Sequence, residues 1–266
     1  MDKVAYLGPD GSYSSIAAEK FRPQAECLAY PSFALVIKAL LEGECNLAVL
    51  PIENSLNGGV NQNIDLLQYT DGLIAFEELS VEIDHRLATR SGADISKIER
   101  IFSHRQALEQ CGQYISKNFP RAKLMGAPST AAGLDMLEYD TDACIVGAHT
   151  KREGITLSPC NIADEKSNRT HFLLIKKGGV EDCNPSQKMY FSATCPHRPG
   201  ELLSMLSIIA DGGLNMTKIE SRPIKNKPGE YRFFIEIEGD CFSERVKEVL
   251  KKVESASNSF KILGAY

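Results

Sequence analysis

The first two thirds of the chain alternate short apolar runs with segments of helical spacing. VAYLG (4–8), LAVLPI (47–52) and ACIVGAH (143–149) are apolar runs, whereas FALVIKALLEG (33–43) places apolar residues three and four positions apart. These two periods are typical of buried strands and amphipathic helices. Their repetition predicts an α/β domain with a mainly parallel sheet, in which Ser32 and Ser129 cap helices and further helices cover 130–139 and 150–154.

A different pattern follows a Gly-, Pro- and Ser-rich linker at 178–187. The apolar spacing there predicts, in order, a strand (189–195), a helix (201–213), a strand (216–223), a turn from Lys225 to Gly229, a strand (231–239), a helix (242–256) and a strand (260–266). The order βαββαβ is that of a ferredoxin-like module.

The parallel sheet carries a chemical prediction. Ligands bind beyond the carboxyl ends of parallel strands, where helix N-termini favour an anion. The segments expected at that edge are Gly8–Ser14, Glu53–Ser55, Ser103–Arg105, Ser129–Thr130 and Thr170–Phe172. They predict a small anionic ligand held by hydroxyls and amides, and the sequence has no glycine-rich nucleotide-binding motif.

Composition narrows the function classes. The 266 residues are 43% hydrophobic and 24% charged, with a net charge of −5 and no dense basic stretch, so we expect no nucleic-acid partner. No apolar run has the length of a membrane span and the N-terminus lacks a signal-peptide pattern, which predicts a cytoplasmic protein without a membrane partner. The eight cysteines show no C-x-x-C pair or zinc spacing, so we expect reduced thiols and no metal.

Five segments together resemble the prephenate dehydratase family. They are GPDGSYS (8–14), LPIENSLNGGV (50–60), SHRQALEQC (103–111), STAAGL (129–134) and NRTHF (168–172). The tail, with PGELLSML (199–206) and Glu220-Ser221-Arg222-Pro223, resembles the family's phenylalanine-binding ACT domain. No mutase-like helical region precedes the first strand, so the resemblance is to the monofunctional form.

The resemblance implies a fold. Residues 1–178 would form a periplasmic-binding-protein-like catalytic domain, whose two α/β subdomains (about 1–77 plus 160–178, and 78–159) flank a cleft. Residues 188–266 would form the ferredoxin-like ACT domain, through which the chain would assemble as a homodimer or homotetramer.

The resemblance also implies a reaction. Prephenate would lose carbon dioxide and its ring hydroxyl to give phenylpyruvate, without a cofactor, and L-phenylalanine would inhibit the enzyme through the ACT domain. Two related enzyme readings are arogenate dehydratase and a prephenate decarboxylase that does not aromatise its product. A third alternative is a non-catalytic sensor of the same fold, binding a carboxylate and an amino acid.

Site residues are implied motif by motif. Thr170 would donate to the leaving oxygen, although a threonine at a strand start is also an ordinary β-former. Residues implied in substrate binding are Glu53, Asn54, Ser55, Ser103, Gln110, His171 and Phe172. Each has a plainer alternative: Glu53 to Ser55 as a helix cap, Ser103 as the cap of the next helix in addition to binding an anion, and Gln110 as an exposed side chain. His104 is equally compatible with a structural role, and the motifs assign nothing to His85, His149 or His197.

Three positions depart from the family pattern. His171 replaces an arginine, so either His171 binds the substrate carboxylate less tightly or Arg169 substitutes for it. Arg105 replaces a proline and would add positive charge nearby. Glu201 replaces an alanine, and either contacts the effector's ammonium group or points to solvent.

The implied phenylalanine-binding residues form two groups. They are Pro199, Gly200, Glu201 and Leu202, and Glu220, Ser221, Arg222 and Pro223. The alternative for the whole tail is a dimerisation domain that binds no effector.

Overall fold

The computed structural model describes residues 1–225, 227 and 229–266. The turn predicted from Lys225 to Gly229 therefore lies partly outside the described residues. None of the helices in the described ranges combines the length and apolar composition that crossing a bilayer requires.

Strands and helices alternate along most of the chain. The strands are β1 (Lys3–Leu7), β2 (Glu26–Tyr30), β3 (Leu47–Asn54), β4 (Gly58–Gly59), β5 (Leu73–Glu82), β6 (His85–Arg90), β7 (Arg100–Ser103), β8 (Lys123–Gly126), β9 (Asp142–Gly147), β10 (Ile155–Leu157), β11 (Arg169–Lys177), β12 (Lys188–Thr194), β13 (Met216–Pro223), β14 (Tyr231–Glu238) and β15 (Ser259–Ala265). The helices are α1 (Tyr13–Phe21), α2 (Phe33–Glu42), α3 (Asn61–Tyr69), α4 (Arg105–Gln110), α5 (Gly112–Asn118), α6 (Thr130–Leu134), α7 (Glu201–Asp211) and α8 (Glu244–Ser255). Two short 3₁₀ turns cover Ile95–Lys97 and Val180–Asp182.

The chain folds into two compact units. Unit 1 comprises Met1–Val36, Val49–Val60 and Leu79–Phe172, and unit 2 comprises Ile37–Ala48, Asn61–Glu78 and Leu173–Tyr266. The domain boundaries predicted from the resemblance differ from this division, and they stay a prediction.

Unit 1 contains a mixed five-stranded sheet. Its order is β10-β6-β9-β7-β8, with parallel pairing of β7 to β8 and β9, and antiparallel pairing of β6 to β9 and β10. Leu87, Ile101 and Ile145 from three of these strands are buried together with α4 and α5. The sheet is thus mixed where the sequence predicted mainly parallel pairing. Elsewhere in this unit β1 pairs with β2 in parallel.

Unit 2 contains the predicted order of elements in the C-terminal segment. From 188 onward the order is β12, α7, β13, β14, α8 and β15, so the prediction βαββαβ is confirmed. The strands lie in the order β13-β14-β12-β15-β5, and the apolar faces of α7 and α8 cover buried residues such as Phe191 and Ile235.

Two helix predictions are wrong: one helix is absent and the other is shorter than predicted. Residues 150–154 form no helix but a loop with a turn at 153–154, because TKREG offers no apolar residue to bury and Gly154 adopts a φ of +74°. Helix α6 stops at Leu134 and does not reach residue 139. The carboxylate of Asp142 accepts the backbone N–H groups of Glu138 (2.9 Å) and Tyr139 (2.8 Å), which holds that segment outside the helix.

Candidate active site

A cavity of about 430 Å³ opens within unit 1. Every segment that the sequence places at the binding edge contributes lining residues: Gly8, Pro9, Ser12 and Tyr13; Asn54; His104; Ser129 and Thr130; and Thr170. The volume is in the range of sites for small molecules.

The described lining of this cavity contains no Asp, Glu, Lys or Arg. Its electrostatics come instead from the helices α1, α4 and α6, which begin there. Ser12 Oγ accepts from the N–H of Ser15 (3.2 Å), His104 Nδ1 from that of Gln106 (3.3 Å), and Ser129 Oγ from that of Ala132 (3.0 Å). The remaining N–H groups of such helix starts carry partial positive charge and favour an anion.

Asn54 has a side-chain amide of fixed orientation. Its Oδ1 accepts from the backbone N–H groups of Leu56 (3.2 Å) and Asn57 (3.1 Å), and from Asn57 Nδ2 (3.0 Å). Because a backbone N–H can only donate, Oδ1 must face this turn and Nδ2 must face the other way.

Nδ2 of Asn54 points at the hydroxyl of Thr170. It donates to Thr170 Oγ1 (3.0 Å), Asn168 Oδ1 (2.7 Å) and the backbone oxygen of Arg169 (3.2 Å). Thr170 therefore accepts from Asn54, and its own hydroxyl hydrogen is available to an acceptor in the cavity. This is the orientation that a donor to a leaving oxygen requires.

The same chain of amides continues to Gln110. Asn168 accepts through Oδ1, so its Nδ2 donates, and it contacts Gln110 Oε1 at 3.3 Å. Oε1 of Gln110 also lies 2.9 Å from Nε2 of His85, which is 3% exposed. Burial lowers the pKa of His85, more than the hydrogen bond to Gln110 raises it, which favours the neutral imidazole. Because Gln110 Oε1 can only accept, the ring proton lies on Nε2.

Other residues from the same two motifs shape the backbone around Thr170. Ser55 Oγ accepts from the N–H of Arg169 (2.9 Å) and its own N–H donates to the oxygen of Arg169 (2.9 Å), which fixes the start of β11. Glu53 is half-buried and pairs with Gly59 between β3 and β4. Neither Glu53 nor Ser55 is among the described residues that line the cavity.

Ser103 and its neighbours differ from the prediction. Ser103 is fully buried and its hydroxyl donates to the oxygen of Ile145 at 2.8 Å, so the prediction that it caps the next helix is wrong. His104 is the N-cap of α4 and lines the cavity in its place. Arg105 lies on an exposed face, paired with Glu109 at 2.8 Å, and is not among the described lining residues.

The two faces of β11 separate the residues predicted around Thr170. Side chains alternate along a strand, so Thr170 and Phe172 share one face and Arg169 and His171 the other. Thr170 lines the cavity, whereas Phe172 is 1% exposed and lies outside the described lining. His171 is half-buried, and neither it nor Arg169 is among the described lining residues.

The structure adds residues that the sequence did not single out. Tyr13 lies in the GPDGSYS segment (8–14) and Asn168 in the NRTHF segment (168–172). Membership of these segments is the only feature of the sequence that could have indicated a role for them. Tyr13 donates to the oxygen of Asp84 (3.0 Å), and burial raises the pKa of its hydroxyl. Its ring packs edge-on against His85 (6.3 Å) and His149 (5.3 Å). Neither histidine belongs to a recognisable sequence pattern.

A second cavity, of about 330 Å³, lies in unit 2. Glu220, Ser221, Arg222 and Pro223 all line it. The Arg222 guanidinium bonds Glu220 (2.7 Å), Asp65 (3.1 Å) and the oxygen of Asn61 (3.1 Å), and stacks 4.6 Å from the centre of the Phe234 ring.

The other predicted effector-binding group begins α7. Gly200 has a φ of +88°, a conformation that favours glycine, and Glu201 is the first helical residue. Leu202 packs on the core of unit 2, and Pro199 and Gly200 are exposed. This group, Pro199 to Leu202, is not part of the described lining of the second cavity.

Among the described residues, no group of three or more His, Cys, Asp or Glu side chains is arranged to hold a metal ion.

Sequence comparison identifies relatives of the chain. The family model for prephenate dehydratase matches residues 4–179. The prephenate dehydratase of Lactococcus lactis subsp. cremoris is 33% identical over 272 residues, covering 99% of this chain and 97% of that protein.

Structure comparison finds the same mixed α/β fold. A prephenate dehydratase from Arthrobacter aurescens, solved in complex with L-Phe, superposes with a TM-score of 0.88 at 27% identity, over 99% of this chain and 90% of that one. A protein described as GqqA, a novel type of quorum quenching acylase, gives a TM-score of 0.87 at 26% identity, over 99% and 96% of the two chains. Because these two proteins share one fold but are described with different activities, the family has to be assigned from sequence as well as from the fold. On the match of the family model and the identity to full-length relatives, the chain belongs to the prephenate dehydratase family.

Proposed function

We propose that the chain is a prephenate dehydratase, which converts prephenate to phenylpyruvate, carbon dioxide and water in phenylalanine synthesis. The observation that carries this proposal is the Thr170 hydroxyl, which accepts from Asn54 Nδ2 and keeps its hydrogen for a ligand in the cavity.

The reaction breaks two bonds of the substrate ring. The carbon–carbon bond to the ring carboxylate breaks to release carbon dioxide, and its electron pair completes the aromatic ring as hydroxide leaves. The departing hydroxide takes up a proton from the solvent and leaves as water. Thr170 donates a hydrogen bond to that oxygen, and a positioned donor of this kind contributes about 10²–10⁴-fold to the rate.

The substrate keeps one carboxylate and loses the other, so its binding site must hold two anionic groups initially. The donors that support this role are the N–H groups at the starts of α1 and α6 and the hydroxyls of Ser129 and Thr130. The Ser12 hydroxyl caps α1 and itself donates to the oxygen of Leu7 (2.9 Å). The reaction as written needs no cofactor. Neutral donors suit a decarboxylation, because a tightly paired cation would stabilise the carboxylate that has to leave.

The substrate-binding roles of Glu53, Ser55, Ser103, His171 and Phe172 stay predictions. Their positions outside the cavity lining support indirect roles: Ser55 through Arg169 and Ser103 through the strand that precedes α4. Residues 1–178 are proposed as the catalytic domain, with the periplasmic-binding-protein-like subdomains implied by the resemblance.

We infer a regulatory role for residues 188–266 as a ferredoxin-like ACT domain that binds L-phenylalanine. The complex of the Arthrobacter relative with L-Phe supports this role. Glu220 to Pro223 line a cavity that also contains Arg232, whose charge suits an amino-acid carboxylate. Arg222 is paired there with Glu220 and Asp65. Assembly as a homodimer or homotetramer through this domain, and a cytoplasmic location, stay predictions.

Phenylpyruvate formation from prephenate by the purified protein, with and without L-phenylalanine, tests both proposals. Turnover suppressed by L-phenylalanine supports both, and turnover without suppression removes the regulatory role. If the protein turns over arogenate but not prephenate, it is an arogenate dehydratase. If it binds prephenate without turnover, a non-catalytic sensor is indicated.

A further inference from the structure

Two polar atoms at the main cavity lack a hydrogen-bond partner among the described residues. They are Gln110 Nε2 and His85 Nδ1, and both atoms are buried in side chains that line the cavity. An unpaired buried donor or acceptor is costly, which is why such atoms in a binding site indicate where a ligand completes the hydrogen bonding.

The orientation of Gln110 follows from the amide chain. The backbone N–H groups of Leu56 and Asn57 fix Asn54, and Asn54 in turn fixes Asn168. Asn168 then presents a donor, so Oε1 of Gln110 must face it, and Nε2 is left as the free end of the amide. The contact to Asn168 is long, at 3.3 Å, and does not by itself hold the side chain firmly.

His85 provides the shorter contact to the same oxygen, at 2.9 Å. Residue His85 is itself held in place. The backbone N–H of His85 donates to Asn161 Oδ1 (3.1 Å), and its imidazole packs edge-on with the Tyr13 ring. A rigid donor with the proton on Nε2 thus faces a glutamine that would otherwise rotate.

We infer that His85 is a positioning residue for the dehydratase: as a neutral imidazole it holds Gln110 by Oε1, so that the Gln110 amide donates its N–H to an oxygen of the bound substrate. This inference rests on the proposed function. His85 acts through Gln110, and Thr170 is fixed separately by Asn54.

Two substitutions of His85 separate the hydrogen bond from the volume of the ring. His85→Leu removes the donor and frees Gln110, so we expect the KM for prephenate to rise about tenfold, with a smaller change in kcat because Asn54 still orients Thr170. His85→Gln can place an amide nitrogen near the former Nε2, and we expect it to restore KM to within about threefold of wild type. A KM unchanged in His85→Leu, or equally raised in His85→Gln, would overturn the inference.

A double-mutant cycle with Gln110→Leu tests whether the effect passes through Gln110. If it does, His85→Leu adds little to the KM of Gln110→Leu, because the group that it positions is already absent. Fully additive effects on KM would show that His85 acts by another route. Thermal unfolding of all variants identifies any that fail to fold. If His85→Leu is among them, ¹⁵N NMR of the His85 ring in the wild-type and Gln110→Leu proteins replaces the activity readout.

The ring nitrogens of His85 provide a measurement that does not depend on turnover. ¹⁵N NMR of the wild-type protein at pH 7.5 should show the proton on Nε2, with a changed Nε2 shift in Gln110→Leu. A proton on Nδ1 would overturn the inference even if prephenate is turned over. Absence of turnover with the expected Nε2 proton would reject the proposed function and retain the His85–Gln110 contact.

Discussion

The two cavities differ in how their polar groups are held. In unit 1 the described lining contains no Asp, Glu, Lys or Arg. There the side-chain amides of Asn54, Asn168 and Gln110, which are neutral, orient one another by hydrogen bonds. In unit 2 the lining carries full charges, with Arg222 paired to Glu220 and Asp65.

This difference suits two kinds of task. Neutral amides anchored on backbone N–H groups have a fixed donor direction at any pH near neutrality, as a site must have when it holds a hydroxyl ready to donate. Ion pairs can exchange partners when a charged ligand arrives, and salt weakens them when they are exposed. The first arrangement fits catalysis and the second fits reversible control.

The largest effect is expected when the Thr170 hydroxyl is removed from the cavity of unit 1. Thr170→Val keeps the shape of the side chain and loses its hydroxyl, so we expect kcat to fall by about 10²–10⁴-fold. Thr170→Ser keeps the hydroxyl and should retain partial activity. Phenylpyruvate formation measures both, with thermal unfolding as the check on folding. Equal activity for Thr170→Val and wild type would contradict the role of Thr170.

A smaller loss of activity should follow when the side chain at position 54 can no longer donate hydrogen bonds. Asn54→Asp has nearly the same shape, but an ionised carboxylate cannot donate to Thr170, Asn168 or Arg169. Leaving buried partners unpaired costs about 1–3 kcal/mol, so we expect kcat/KM to fall roughly 10- to 100-fold.

Acid provides the internal control for Asn54→Asp. Protonation of the new carboxyl restores an O–H donor, so the activity of this variant should rise relative to wild type as the pH falls. A variant whose activity relative to wild type does not depend on pH would show that donor direction at position 54 is unimportant.

The charged cavity should respond to loss of its paired arginine. Arg222→Met keeps an apolar stem over Phe234 and removes the bonds to Glu220 and Asp65. We expect the L-phenylalanine concentration for half-inhibition to rise about tenfold, since charge-assisted hydrogen bonds hold the proposed binding segment. Arg245→Met, the same change at an exposed position of α8, is the matched control. Equal shifts in the two variants would contradict a specific role of Arg222.

The smallest expected effect is a dependence of stability on pH in unit 1. Burial lowers the pKa of His149, against the hydrogen bond to the oxygen of Gly11 (2.5 Å), and burial likewise lowers that of His85. The unfolded chain therefore binds more protons below the ordinary histidine pKa of about 6.5. The free energy of unfolding should be fully retained above that pH and decrease as the pH falls below it.

Denaturant unfolding at pH 7.5 and pH 5.5 measures this dependence. His149→Gln should reduce the loss of stability on acidification, because one group with a lowered pKa is gone. His197→Gln, at an exposed histidine, is the control. An equal reduction in both variants would contradict the assignment to the half-buried imidazole of His149.

The sequence predicted the elements best where the apolar spacing was regular. The order of elements from 188 to 266 is confirmed, because β12, α7, β14, α8 and β15 bury apolar residues in one core. The helix predicted over 150–154 is wrong since it had no such face, and α6 is short because Asp142, far along the chain from Ser129, binds the backbone N–H groups of Glu138 and Tyr139.

The site was predictable only as far as its motifs reach. Every predicted edge segment lines the cavity, but only the strand pairing and the helix caps decide which side chain of each segment points into it. His171 follows Thr170 directly, and the alternation of β11 turns it to the other face. His85 lies outside all the motifs, and only the folded chain shows its contact with Gln110.

Neutron diffraction from crystals grown at pH 7.5 tests the central claim most directly, because it locates the exchangeable hydrogens. The account predicts that Asn54 presents its Nδ2 deuterium to Thr170 Oγ1, and that the Thr170 hydroxyl deuterium points into the cavity. A Thr170 hydroxyl that donates to the Asn54 side chain would contradict the account, since no hydrogen would then be available to the departing oxygen.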